Sequence, residues 1–260
     1  MFLPTTLKEV RARGWDQLDV ILFTGDAYID HPSFGAAVVG RLLEAEGYRV
    51  AIVPQPNWRD DLRDFTKLGT PRLFFGVTAG AMDSMVNHYT AGKRLRHDDA
   101  YTPEGKAGQR PDYAVSVYTN ILKKLYPDVP VIIGGVEASL RRLTHYDYWK
   151  DELVPSILKW CKADYLCYGM GEKPMIELTR AIEAQRNIHE IHKIPQIAFL
   201  MSGKWKVKEP LVLHSFEECK RDKKAFAENF HLIETHANMM HPATIIEPVG
   251  NGYVQINPPY

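Results

Sequence analysis

Apolar positions along this chain fall in short runs separated by stretches of helical period. Leu18-Asp19-Val20-Ile21-Leu22-Phe23 stops at Thr24-Gly25-Asp26, the pattern of a buried strand running into a tight loop. From Ser33 to Glu46, Phe34, Ala37, Val38, Leu42 and Ala45 recur at three- and four-residue steps, which predicts one amphipathic helix face, stopped by Gly47. Val50-Ala51-Ile52-Val53 is the next strand, broken by Pro54 and Pro56.

The alternation continues. A helix over Asp61 to Leu68 precedes a strand at Leu73 to Val77, and a helix over Tyr113 to Tyr126 precedes a strand at Val129 to Ile133. Leu153 to Cys161 reads as a helix, Tyr165 to Tyr168 as a fifth strand, and Met175 to Ile182 as a further helix opened by Pro174. Short apolar strands separated by amphipathic helices predict an α/β fold, a doubly wound parallel five-stranded sheet with helices on both faces, over residues 1–186. Beyond Arg186 the rhythm fails. Residues 187–260 read as an extension: a strand within Ile194 to Met201, a charged helix over Ser215 to Phe230, and a hairpin signal where Thr244 to Glu247 and Tyr253 to Ile256 flank Gly250-Asn251-Gly252. The end at Asn257-Pro258-Pro259-Tyr260 reads as a chain cut in a connector.

The polar stretch from about Met82 to Pro111 carries Lys93, Arg94, Arg96, Asp98 and Asp99, and a segment of that length without secondary structure is either functional or disordered. Composition narrows the class without naming a function. Among 260 residues, Lys and Arg total 32 and so do Asp and Glu, so no global charge surplus draws the chain to a polyanion. Arg141-Arg142, Lys204/Lys206/Lys208 and Lys220 to Lys224 are short basic clusters largely balanced by neighbouring acids, so nucleic-acid binding is not expected, contact of the 82–111 stretch with RNA or a partner protein being a minor alternative. No apolar run reaches the ~18–20 residues of a spanning helix, and the opening segment is no signal peptide, so a cytoplasmic protein is expected. Cys161, Cys167 and Cys219 have no metal-site spacing and read as structural thiols. The histidines at 189, 192, 231, 236 and 241 lack the spacing that puts two ligands on one helix face and read as solvated or structural.

Chemistry is expected at the carboxyl ends of the strands, where helix N-termini and glycine turns leave N–H groups free. Four loops qualify. The first holds Thr24, Gly25, Asp26, Asp30, His31, Ser33 and Gly35; either Asp30 and Ser33 cap the next helix, or Gly35 lets a flat ligand approach the backbone. The second, Gly76 to Ala81, holds Gly80. The third is the loop Gly134 to Leu140, where Gly134 and Gly135 precede Glu137 and Ser139, two polar groups expected at the same edge. The fourth is Gly169-Met170-Gly171-Glu172, placed as a phosphate cradle would be, although Glu172 at a helix start repels phosphate and favours a hydroxyl or amide donor.

Three strings carry a resemblance. Gly14-Trp15-Asp16-Gln17-Leu18-Asp19-Val20 through Thr24-Gly25-Asp26-Ala27-Tyr28-Ile29-Asp30-His31-Pro32-Ser33-Phe34-Gly35, then Gly134-Gly135-Val136-Glu137-Ala138-Ser139-Leu140-Arg141-Arg142, and Asp164-Tyr165 leading to Gly169-Met170-Gly171-Glu172 resemble the YgiQ-type radical SAM proteins, the UPF0313 family. The likeness runs over essentially the whole chain. It implies a cobalamin-binding-like, flavodoxin-like amino-terminal domain followed by a radical SAM barrel. In that barrel a CxxxCxxC motif holds a 4Fe–4S cluster that binds S-adenosylmethionine and reduces it to a 5′-deoxyadenosyl radical. This sequence has no such triplet, so the resemblance implies the amino-terminal portion of a larger enzyme, with the downstream barrel as its partner and no radical chemistry of its own. Cobalamin is the candidate cofactor that the domain type implies. The DxHxxG loop that ligates cobalt through histidine is altered here, with Asp30 adjacent to His31 and Gly35 four residues beyond it, so no metal ligand is assigned. The alternative is a self-contained small-molecule or nucleotide-binding α/β module without a cluster.

Overall fold

A computed structural model describes residues 2–260. Its strands are β1 (Val20–Thr24), β2 (Val50–Pro54), β3 (Phe74–Thr78), β4 (Val131–Gly134), β5 (His145–Asp147), β6 (Glu152–Val154), β7 (Tyr165–Cys167), β8 (Ile197–Ser202), β9 (Leu211–Val212), β10 (Ile245–Val249) and β11 (Gly252–Ile256). Nine of them form one sheet in the order β2-β1-β3-β4-β7-β8-β11-β10-β9, while β5 and β6 make a separate antiparallel pair. From β2 to β7 all neighbours are parallel. β8 runs antiparallel to β7, β11 to β8 and β10 to β11, and short β9 lies parallel to β10.

The parallel half is the doubly wound α/β arrangement that the pattern predicts. Strand alternation sends Ile21, Phe23, Phe75, Val77 and Ile133 to one face, under the helices Ala114–Leu125 and Ile157–Cys161. The opposite face carries Val20, Leu22, Phe74 and Ile132, under the helices Gly35–Ala45 and Glu172–Glu183. Both faces are therefore dry, and each fully buried large apolar side chain contributes roughly 1.5–3 kcal/mol.

The sheet has nine strands where the pattern gives five in the doubly wound part. Residues 187–260 supply the other four, and the Gly250-Asn251-Gly252 turn joins β10 to β11 as expected. Three local differences have physical causes. The expected helix from Leu153 begins as β6 because Glu152 to Val154 pairs with β5, and helix starts only after Ser156, whose side chain accepts from the Leu158 N–H. The charged helix after Ser215 is two helices, Phe216–Arg221 and Lys223–Ala237, divided at Asp222, whose extended backbone and side-chain cap start the second. The Gly134 to Leu140 loop is a short helix, Gly135–Leu140.

The 82–111 stretch is ordered, with a helix at Ser84–His88, β-bridges Tyr89 to Leu95 and Asp98 to Lys106, and a single 3-10 turn at Pro103–Gly105. Among the described residues no helix is long and apolar enough to cross a membrane.

Candidate functional site

The strand order reverses between β1 and β3: the chain leaves β1 for β2 on one side and returns to β3 on the other. Sheets of this kind open a crevice at that switch point, outside the carboxyl ends of the strands. Here the crevice is a cleft of about 310 Å³ between the helices Gly35–Ala45 and Glu172–Glu183. Leu22, Gly76, Ile132 and Cys167 form its floor, Thr78 and the Gly134-Gly135 pair its inner end, and Pro32, Ser33 and the segment Gly169 to Glu172 its rim. Gly76 sits in mid-strand, where any side chain would stand in the trough; a lone glycine in a strand marks such an approach. Gly135 has φ +82°, and a Cβ there would come 2.5 Å from Thr78 Oγ1. A strand can thus turn directly into a helix at that point without roofing the cleft.

Of the residues singled out in the sequence, Ser33, Gly35, Gly134, Gly135, Gly169, Gly171 and Glu172 meet in this cleft. The others do not. Thr24, Gly25, Asp26 and Gly80 build a lock beside it. Asp26 is buried, accepts the Ala81 N–H at 2.6 Å and lies 2.8 Å from the Arg110 guanidinium, which also pairs with Asp99 and donates to Ala79 O. Thr24 Oγ1 accepts the Asp26 N–H, and the Gly25 N–H donates to Thr78 O. Gly80, at φ +112°, leaves no room for a Cβ, which would overlap the Asp26 carboxylate. Burial pushes the Asp26 carboxyl above its ordinary value despite Arg110. The lock fixes the 82–111 segment onto the sheet edge.

Asp30 caps nothing. The helix N-cap is Phe34 without a side-chain hydrogen bond, so the capping expected of Asp30 or Ser33 is absent; Asp30 instead takes the Arg41 Nε at 3.0 and 3.1 Å, and this bond lowers its carboxyl pKa. His31 is exposed and its Nδ1 accepts the Ser33 N–H at 3.1 Å.

Glu137 points away from the cleft into the protein. Only 1% exposed, it accepts Ser84 N–H at 2.8 Å, Ser84 Oγ at 2.5 Å and Val115 N–H at 3.0 Å, so one carboxylate ties together the starts of the helices Ser84–His88 and Ala114–Leu125. Burial, reinforced by Asp83, pushes its pKa up. Asp83 caps the first of those helices and pairs with Arg141. Ser139 Oγ accepts the Gly169 N–H at 3.2 Å and so holds the cleft rim. Gly76 and Met170, which fall within the expected loops Gly76 to Ala81 and Gly169 to Glu172, also line the cleft, and the isolated glycine of Phe74-Phe75-Gly76-Val77 is the sequence signal for the first. Nothing in the polar stretch distinguishes Arg110 as the buried cation.

The chain's donor set does not fit an iron–sulfur cluster. Cys161, Cys167 and Cys219 are free, buried and apart, and burial pushes their thiols up to about 12, 12 and 11, whereas cluster ligands are thiolates. Among the described residues no group of three His, Cys, Asp or Glu side chains is arranged to hold a metal. For a cobalamin-type ligand the cleft offers apolar walls to a flat group but no cobalt ligand, because His31 is not among its lining residues and its Nδ1 is engaged by backbone.

This strand order and its switch-point crevice define a flavodoxin-like, doubly wound α/β domain. The chain belongs to the radical SAM N-terminal family, whose profile matches residues 2–260. It is similar to UPF0313 proteins of Porphyromonas gingivalis (60% identical over 262 residues, all of this chain and 41% of the relative) and Bacteroides thetaiotaomicron (59% over 272, all of this chain and 44% of the relative). A UPF0313 protein of Thermotoga neapolitana is 46% identical over 259 residues, all of this chain and 45% of the relative. The chain thus spans less than half the length of these relatives.

Proposed function

We propose that this chain is the ligand-holding amino-terminal module of a cytoplasmic radical SAM protein. It binds a small molecule with a flat, apolar part in the carboxyl-edge cleft and leaves cluster binding and S-adenosylmethionine cleavage to a segment beyond it. The cleft carries this reading: at about 310 Å³ it is of the size that takes a ring system, its floor is apolar, and its one charged lining residue, Glu172, disfavours a phosphate at the helix start. Cobalamin is the first candidate, entering by part of its structure, since the corrin as a whole exceeds the cleft. The thiols support the division of labour, because none of the three is placed to serve a cluster.

The test is thermal denaturation of the chain with cobalamins and with nucleotides, for the natural sequence and for Gly35→Leu. A Cβ at Gly35 meets nothing within 4 Å, so the substitution adds bulk at the cleft without a backbone clash. A ligand that raises the melting temperature of the natural chain and not of the variant supports the reading, by mass action on the native state. Silence across the panel, or a stoichiometric cluster with S-adenosylmethionine cleavage after anaerobic reconstitution, overturns it.

A further inference from the structure

Three large arginines are drawn into this fold around the carboxyl edge, and two of them have carboxylates. Arg110 lies against Asp26 and Asp99, and Arg141 pairs with Asp83. Arg142 has none. Its Nη1 donates to Ser139 O at 2.6 Å and its guanidinium stands 5.2 Å from the Tyr168 ring centroid, while its Nε is buried without a hydrogen-bond partner. Desolvation pulls its pKa below the ordinary arginine value, the direction expected of a cation whose charge is not compensated. Arg142 is half-buried, and a guanidinium partly withdrawn from water without a counter-charge favours an anion beside it.

The surroundings show where that anion would sit. Arg142 lines a half-open cavity of about 580 Å³ bounded by the end of the helix Lys223–Ala237, the segment 239–243 and residues 256–260. Among the described residues no Asp or Glu lines it; besides Arg142 the titratable side chains there are His236, His241, Tyr168 and Tyr260. His236 Nδ1 is a second buried nitrogen without a partner. Ile233, Ile245 and Pro258 supply apolar wall. We propose that this cavity is a binding site for a small-molecule oxyanion, a carboxylate or phosphate whose charge pairs with the Arg142 guanidinium and whose apolar body lies against Ile233, Ile245 and Pro258. Guanidinium forks match both groups. The cavity is separate from the cleft, with Ser139 and the Tyr168-Gly169 peptide between them, so this inference stands or falls independently of the cleft's ligand.

The experiment is calorimetric titration and thermal denaturation of the chain with inorganic phosphate and, separately, with succinate. Natural sequence, Arg142→Met and Gly35→Leu are compared. At least one anion is expected to bind the natural chain and Gly35→Leu alike and to bind Arg142→Met at least about tenfold more weakly, which corresponds to ~1.4 kcal/mol. The anion that binds more tightly assigns the carboxylate or phosphate class. Without anion, Arg142→Met is expected to melt at or above the natural chain, since it removes an unpaired charge, and this establishes that the variant is folded. Absence of binding by both anions, or equal binding by Arg142→Met, overturns the proposal.

Discussion

Glu247 offers a test of how this fold handles a lone buried acid. It lies on β10, 1% exposed, and both its carboxylate oxygens stand 3.0 Å from a single donor, the Thr144 N–H. Among the described residues no cation faces it, and Glu217 adds repulsion to the desolvation, so its pKa is pushed up to about 7 from the ordinary 4.5. A carboxyl whose folded pKa is raised binds its proton more tightly in the native state. Its contribution is therefore fully present below about 4.5 and is lost as pH rises through about 7. At 1.36 kcal/mol per pK unit, the gap amounts to about 3 kcal/mol of stability lost across that window. Glu247→Gln keeps a carbonyl oxygen for Thr144 and removes the titration, at the expense of ~1–3 kcal/mol for a buried amide N–H without a partner. Urea denaturation at steps from pH 5 to pH 8 reads the outcome. The natural chain is expected to lose about 2.5 kcal/mol more than Glu247→Gln between the ends of the series, since at pH 5 part of the contribution is already gone. Stability curves that run parallel within ~0.5 kcal/mol would refute the assignment, whatever their vertical offset.

Two further outcomes follow from burial. Glu137→Ala strands two backbone N–H groups and a serine hydroxyl at ~1–3 kcal/mol each, so its urea midpoint should fall by the equivalent of at least about 3 kcal/mol; a loss under ~1 kcal/mol would mean the donors find other partners. The three thiols should stay unreactive toward a thiol reagent in the native chain at neutral pH and all react once it is unfolded in denaturant; fast native labelling would contradict their burial.

The sequence pattern carried the parallel half of the fold because its strands are short, wholly apolar and bounded by glycine and proline, and because the helices between them keep one apolar face. It carried less of the second half. β9 is two residues long, and β8, β10 and β11 are joined across the sheet in an order that no local pattern encodes. At the site, glycines were readable as places of close approach, and most of them do line the cleft. The acids were read less well, Glu172 apart, since an aspartate or glutamate beside a glycine turn has the same local signature whether it faces a ligand or a buried cation. Asp26 found Arg110 across a separation that only the folded 82–111 segment closes, and Glu137 found the starts of two helices.

The helix Gly135–Leu140 is where these threads meet. Six residues are too few to form a stable helix in water, so its position is set by what it is tied to. Glu137 holds it inward, Ser139 holds the cleft rim from its outer side, and the arginines that follow diverge, Arg141 to Asp83 and Arg142 to the second cavity. Gly135 at its start leaves the cleft open. Each anchor constrains the others, because a rigid turn and a half cannot tilt toward one without leaving another. The residue that looked in the sequence like a ligand contact, Glu137, therefore serves the site by fixing the element on which both cavities depend. That is why it must be buried and satisfied rather than presented to solvent.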